Sequence, residues 1–213
     1  DVYKRQVIGP SIGGLMALEF CTMYPEYVKK LISISSGYKL STLQTLHNLE
    51  QAYILDLGRE SNNRNSEYLS LARMVAHKTY ISLELLSNRA KSETLYDDGL
   101  IKGFLSTPQE SYMMHQGEKF IERFTPESYL SIIKGWQNFK IEQKDLNKLK
   151  DIETLVISVD SDVCFYPEEQ KEFLEILNNH EIRTTYTTIN STKGHDSFLL
   201  EPELFEDTLK NFL

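Results

Sequence analysis

Val7-Ile8-Gly9-Pro10-Ser11-Ile12-Gly13-Gly14 is the stretch on which the reading of this chain turns. Gly9 to Gly13 fits G-x-S-x-G. An apolar pair leads into it, and Leu15, Met16, Leu18, Phe20 and Cys21 follow in a helix-like pattern that ends at Pro25. The pattern requires a strand, a sharp turn and then a helix, with the serine on a strained corner and small neighbours that let the chain pass close to itself. On its own it is a weak signal, because a glycine-rich turn with an idle serine is spelled the same way.

Working outward, Val28 to Ser35 (VKKLISIS) and Glu153 to Val159 (ETLVISV) read as buried strands. Pro167 to Asn178 reads as a helix with proline in its first turn. Ile182 to Ile189 alternates, is rich in Thr and reads as a strand, and Phe198 to Leu213 reads as the last amphipathic helix. Residues from about Leu40 to Leu149 differ. They are rich in Leu, Glu, Asn, Lys, Ser and Tyr and poor in Gly, and Leu69, Ala72, Arg73, Ala76, Tyr80 and Leu83 fall at helical steps. Pro108 and Pro126 punctuate this region, with Tyr129 to Phe139 helical after it. The order predicts an α/β fold, a parallel sheet flanked by helices. Residues 1–39 and 150–213 would form its core, and residues 40–149 a helical cap insertion.

The first residues, Asp1 to Gln6 (DVYKRQ), are polar, and Val7 with Ile8 is short for a central strand of a parallel sheet. Either the strand begins late or the opening is a non-native junction on an interrupted gene. The second reading is preferred, and it leaves the upstream strands of the sheet missing.

Composition narrows the function. The chain has 213 residues, 40% of them apolar, and a net charge of −8, which argues against nucleic acid as a partner. No apolar run is long enough to span a bilayer. Cys21 and Cys164 read as buried thiols, with neither a disulfide nor a metal site expected, and they favour a cytoplasmic location.

A serine hydroxyl is a poor nucleophile without an adjacent base. Asp160-Ser161-Asp162 ends the Glu153–Val159 strand, at the carboxyl edge where sites of such sheets lie. His195 follows the last strand within Lys193-Gly194-His195-Asp196. Serine, acid, histidine is the chain order that a G-x-S-x-G site uses. A turn or cap explains one of Asp160 and Asp162 but not both. His47, His77, His115 and His180 read as structural.

These residues resemble those of a known family. Ile8 to Gly14 with Ala17-Leu18-Glu19, Ala72-Arg73-Met74 with Thr79-Tyr80, and Gln116-Gly117-Glu118-Lys119-Phe120 with Arg123-Phe124 are similar to stretches of the homoserine O-acetyltransferases of methionine biosynthesis. So are Ser128-Tyr129-Leu130, Asp160-Ser161-Asp162-Val163 with Pro167 to Gln170, and Gly194-His195-Asp196-Ser197-Phe198-Leu199. The resemblance implies a partial α/β-hydrolase fold and acetyl transfer from acetyl-CoA, a co-substrate, to the hydroxyl of homoserine, with no permanently bound cofactor. It implies Ser11 as nucleophile, His195 as base and Asp162 as orienting acid. The backbone N–H of Ile12 would be one oxyanion donor. Asp196 would contact the amino-acid acceptor or, alternatively, cap the last helix. The family's chains are longer at the N-terminus, so the second oxyanion donor is expected upstream and this fragment is expected to be inactive or nearly so.

Some residues depart from the family. Asn48-Leu49-Glu50-Gln51 is followed by Ala52 where the family usually carries arginine, and Gln137 and Lys140 stand where it usually carries aspartates. Arg59, Arg64 or Arg73 are the candidates to supply the missing cation. Alternative readings are a serine ester hydrolase of the same fold and a homologue without catalysis. The insert's Leu and Tyr content suggests a homodimer surface.

Overall fold

The computed structural model describes residues 5–60, 65–89 and 107–213. Strands Arg5–Pro10 (β1), Val28–Ile34 (β2), Glu153–Val159 (β3) and Thr184–Ile189 (β4) pair in parallel in the order β1-β2-β3-β4. Helix Ile12–Met23 (α1) joins the first two strands, and helix Pro167–Asn179 (α8) joins the last two. The helices between β2 and β3 are Thr42–Glu60 (α2), Asn65–His77 (α3), Leu83–Arg89 (α4), Pro108–Ile121 (α5), Pro126–Gln137 (α6) and Gln143–Leu146 (α7). Short helix Ser197–Leu200 (α9) and helix Glu203–Phe212 (α10) follow β4. The chain divides into two compact units, Asp1–Ser41 with Phe139–Leu213, and Thr42–Asn138.

In the sheet unit, side-chain alternation sorts the strands' apolar residues onto two faces. Leu31 and Val156 point to one, where Ala17, Leu18 and Cys21 of α1 meet Phe173 and Leu177 of α8, together with Leu146 and Leu149. Ile32, Ile34, Leu155, Ile157 and Val159 point to the other, under Phe205 and Leu209 of α10. Both faces are covered, which is why β2 and β3 read as continuous apolar runs rather than alternating ones. Each fully buried Leu or Ile contributes about 1.5–3 kcal/mol relative to exposure.

In the helical unit, Leu55, Leu69, Ala72, Phe120, Tyr129, Leu130 and Ile133 form the core. Helices α5 and α6 start at Pro108 and Pro126, each behind a capping box, Thr107 with Glu110 and Thr125 with Ser128. Proline at the first helical position gives up an N–H that has no partner there anyway. Among the described residues, no helix is long and apolar enough to cross a membrane.

Two helical stretches that the sequence reads as continuous are interrupted. The last helix is interrupted: it turns at Ser197–Leu200, breaks at Glu201-Pro202 and resumes at Glu203. Proline supplies no N–H to continue a helix, and it disfavours helical backbone at the residue before it. The helix expected to run on to Leu83 stops at His77 and restarts as α4.

Candidate active site

Ser11 sits between β1 and α1 with φ 53° and ψ −130°, in the left-handed half of backbone space, which costs a non-glycine residue of order 1–3 kcal/mol. Its N–H donates to the carbonyl of Ile34 at 2.9 Å, so the sheet's hydrogen bonding continues through the corner. The steric demand behind the corner falls on two glycines. A Cβ on Gly9 would lie 2.0 Å from the Gly13 carbonyl oxygen, and one on Gly14 would lie 2.5 Å from Ser36. Gly13, the motif's second glycine, has only an ordinary contact, Pro10 Cδ at 3.5 Å. The motif's spelling therefore missed Gly14, which lets α1 pack against the end of β2.

Asp162 lies beyond the end of β3 and is 1% exposed. Its Oδ1 accepts the N–H groups of Cys164 at 2.8 Å and Phe165 at 2.9 Å, and its Oδ2 accepts from His195 Nδ1 at 2.8 Å. With Nδ1 donating, Nε2 of the neutral ring is an acceptor, and it meets Ser11 Oγ at 2.8 Å. The structure thus brings Ser11, His195 and Asp162 into one hydrogen-bonded chain. Burial works to lower the His195 pKa. The Asp162 carboxylate and its hydrogen bond, helped by Asp196, outweigh this and hold the imidazole above its ordinary 6.5.

The His195 ring is fixed by contacts that the sequence did not announce. Phe165 stacks on it with centroids 5.5 Å apart, and Phe198 meets it edge-on at 5.6 Å. Gly194, at φ 78°, makes the turn before it. Ser161 Oγ accepts the Gly194 N–H at 3.0 Å and donates to Ser191 O, while Asp160 Oδ1 accepts the Ser191 N–H at 2.9 Å. The pair of aspartates thereby has two jobs: Asp160 ties down the histidine loop and Asp162 touches the imidazole. Aromatic residues flanking both polar clusters, Phe165 after Asp162 and Phe198 after His195, were the available signal.

Ile12 is the first residue of α1, where backbone N–H groups have no partner within the helix. Asp196 precedes α9, is half-buried, and makes no side-chain cap hydrogen bond to that helix. Arg59 lies exposed on α2. Arg73 lies on α3, where its guanidinium reaches His77 Nδ1 at 3.3 Å. Arg64 lies outside the described residues. His77 is buried and bonded to Tyr112, and His180 is bonded to Asn147 at the surface. Cys21 and Cys164 are buried and unbridged. Among the described residues no group of three or more His, Cys, Asp or Glu gathers as a metal site.

No protein-family model matches the chain. A homoserine O-acetyltransferase of Methanosalsum zhilinae is 34% identical over 221 residues, covering 97% of this chain and 44% of that protein. The chain therefore spans less than half the length of that relative. Among solved structures, homoserine O-acetyltransferase from Bacillus anthracis matches with a TM-score of 0.86 at 16% identity, covering 99% of this chain and 60% of that one. Esterase E22 matches with a TM-score of 0.84 at 16% identity, covering 96% and 60%. The structural likeness establishes the fold and the sequence likeness the kinship: the chain has the α/β-hydrolase fold in part and is homologous to the homoserine O-acetyltransferases.

Proposed function

We propose that this chain carries the reacting side chains of a serine-dependent acyltransferase, one that moves an acetyl group from acetyl-CoA to the hydroxyl of homoserine or a similar hydroxy-amino acid. One observation carries the reading: the two 2.8 Å hydrogen bonds that join Ser11 to His195 and His195 to Asp162.

In this reading Ser11 Oγ attacks the thioester carbonyl while His195 Nε2 takes its proton. Asp162 holds the Nδ1–H tautomer and stabilises the imidazolium that forms. The developing oxyanion faces the backbone N–H of Ile12. Collapse breaks the carbon–sulfur bond, the imidazolium returns its proton to the thiolate, and an acyl-Ser11 ester remains. His195 then takes the proton of the acceptor hydroxyl, which attacks the ester and restores Ser11. The raised proton affinity of His195 suits a group that holds a proton between attack and collapse within each half of this cycle. Asp196, half-buried beside His195, is read as the partner of the acceptor's ammonium group. The buried, unbridged cysteines are read as fitting a cytoplasmic setting.

The test is thiol release from acetyl-CoA, measured on a chain extended upstream to the length of its relatives because these residues alone are expected to be inactive or nearly so, with homoserine, with serine and with no acceptor. Release that depends on homoserine supports transfer, and release without acceptor assigns hydrolysis instead. Ser11→Ala is expected to lower turnover by roughly 10⁴- to 10⁶-fold, and a Ser11→Ala protein of full activity ends the reading. We also propose a homodimer through the helical unit, since Leu46, Leu49, Tyr53 and Leu57 leave an exposed apolar stripe along α2. Sedimentation as a monomer at micromolar concentration contradicts it.

A further inference from the structure

The loop that carries His195 is anchored at Ser191. It runs between Ile189, the end of β4, and Ser197, the start of α9. Every polar group of Ser191 is committed. Its N–H donates to Asp160 Oδ1 at 2.9 Å, and its carbonyl accepts the Ser161 hydroxyl. Its own hydroxyl donates to Glu201 Oε2 at 2.6 Å. The same Oγ accepts the Lys193 N–H at 3.0 Å and lies 2.9 Å from the Ser197 hydroxyl, which also reaches the Gly194 carbonyl. The turn after β3 therefore grips the backbone of Ser191, and Glu201 grips its side chain.

Glu201 is poorly placed for any other task. Its N–H closes α9 onto Ser197 O at 2.8 Å, and its backbone then leaves the helix at φ −138°, ψ 55° before Pro202. A carboxylate at a helix C-terminus faces the unfavourable end of the dipole. Among the described residues it makes no ion pair. What it does make is a short, charge-assisted hydrogen bond, which is the stronger kind. That bond also orients the hydroxyl. With its proton given to Glu201, Ser191 Oγ has only lone pairs left, and these suit the Lys193 N–H and the Ser197 hydroxyl.

The packing of the imidazole shows why the loop needs an anchor. Phe165 lies nearly parallel to it, 20° off, with centroids 5.5 Å apart. A stacked neighbour limits tilt but leaves the ring free to slide in its own plane. Sliding is the motion that changes both 2.8 Å bonds, to Asp162 and to Ser11. The backbone of the loop has to prevent it, and Gly194, at φ 78°, is a permissive link just before the histidine.

We propose that Glu201 is a positioning residue, which through Ser191 holds the His195 loop where the imidazole meets Asp162 and Ser11 at once. The break in the last helix at Glu201-Pro202 then has a use, since it ends α9 where the carboxylate turns back to the loop. That the held imidazole is a catalytic base rests on the acyl-serine reading; the tether does not.

The experiment uses the upstream-extended chain and two substitutions that separate reach from charge. Glu201→Gln keeps the reach and an accepting oxygen but loses the charge. Glu201→Asp keeps the charge but loses the reach. Histidine Cε1 resonances are titrated by carbon-13 NMR, with His195 assigned by its absence in His195→Gln. The Asp162 bond holds the imidazole above 6.5, so a slack loop lets its titration fall. Glu201→Asp and Ser191→Ala are expected to lower the His195 titration and to slow fluorophosphonate labelling of Ser11 about tenfold or more, while Glu201→Gln stays with the parent. Combining Glu201→Asp with Ser191→Ala should do no more than Ser191→Ala alone, because the carboxylate acts through that hydroxyl. Loss in Glu201→Gln with retention in Glu201→Asp assigns the effect to charge and overturns the proposal. So does a lowered urea midpoint with the His195 titration and the labelling rate unchanged, which is a merely structural role. A titration that responds as expected while Ser11 of the parent is never labelled upholds the tether and counts against the acyl-serine reading.

Discussion

Alanine at each of the three glycines around Ser11 separates a steric requirement from a spelling. On Gly9 the new Cβ would lie 2.0 Å from the Gly13 carbonyl oxygen, 2.3 Å from its carbon and 2.6 Å from the Gly14 nitrogen. All three are backbone atoms of the first turn of α1, so no side chain can swing aside and the helix must lift off β1. Overpacking that moves the backbone costs about 1–3 kcal/mol, and Gly9→Ala belongs at or above the top of that range. On Gly14 the new Cβ would lie 2.5 Å from Ser36, which is fully buried, and 2.8 Å from the Gly9 carbonyl oxygen, so a cost of about 2–3 kcal/mol is expected. Gly13 has its nearest neighbour at 3.5 Å and is not among the positive-φ glycines. Gly13→Ala in the first turn of α1 is therefore expected to be neutral or to stabilise by up to about 1 kcal/mol. Urea midpoints at constant m-value measure all three, and labelling of Ser11 by a fluorophosphonate reports whether the corner survives. The reasoning is refuted if Gly13→Ala costs as much as Gly9→Ala, or if Gly9→Ala leaves the midpoint unchanged.

Asp162→Ala leaves two backbone N–H groups and the His195 Nδ1–H buried without their acceptor, and should destabilise by about 3–5 kcal/mol. A midpoint within 1 kcal/mol of the parent, roughly one surface substitution's worth, contradicts that. Because the His195 pKa is raised above 6.5 in the fold, its protonated form is favoured by folding. Its contribution to stability is fully present below the unfolded value of about 6.5 and is lost as pH rises through the folded pKa. The midpoint difference between the parent and His195→Gln should therefore shrink from pH 6 to pH 9, while Ser11 labelling, which needs the neutral ring, rises over the alkaline part of that interval. A labelling profile with its acid limb at or below pH 6.5 defeats the assignment. Burial pushes the Cys21 thiol up to about 12, so it should ignore Ellman's reagent at pH 8 until the chain is unfolded; prompt native reaction at Cys21 opposes this.

Much of this was legible in the sequence where one local cause dominates. β3 has the predicted bounds because a strand buried on both faces is a plain apolar run closed by polar residues. Helix α8 begins at Pro167 because proline suits the first helical position. β4, expected from Ile182, starts at Thr184. The Ile182 N–H is committed to Leu177 O at 3.0 Å, and Glu181 turns through φ 58°, so α8's C-terminal closure takes the residues that alternation assigned to the strand. Three features of the site were invisible for a common reason. The need for glycine at position 14, the stacking of Phe165 on His195 and the Ser161 bridge to Gly194 each depend on a partner far along the chain. Ser36 lies across a helix and a strand from Gly14, and the other two pairs are about thirty residues apart. No periodicity in a short window reports such contacts.

What the sequence could state, chain order, becomes geometry through the register of the sheet. Pro10 pairs with Ile34, Ile34 with Ile157 and Ile157 with Thr187, so the four strands end nearly level. Ser11, Asp162 and His195 leave from the ends of β1, β3 and β4 after one, three and six residues. A slip of β3 by one residue would carry Asp162 about 3.3 Å along the strand, more than the 2.8 Å that separates its Oδ2 from the imidazole. The same slip would turn Leu155, Ile157 and Val159 off the face they share with Phe205 and drive them into the opposite face, which packs Val156 against α1 and α8. The different packing layers on the two faces of β3 and the hydrogen bond at its end therefore enforce one register together. The strain at Ser11 and the buried Asp162–His195 pair persist because a sheet that must place its apolar side chains correctly has no second alignment in which to relax them.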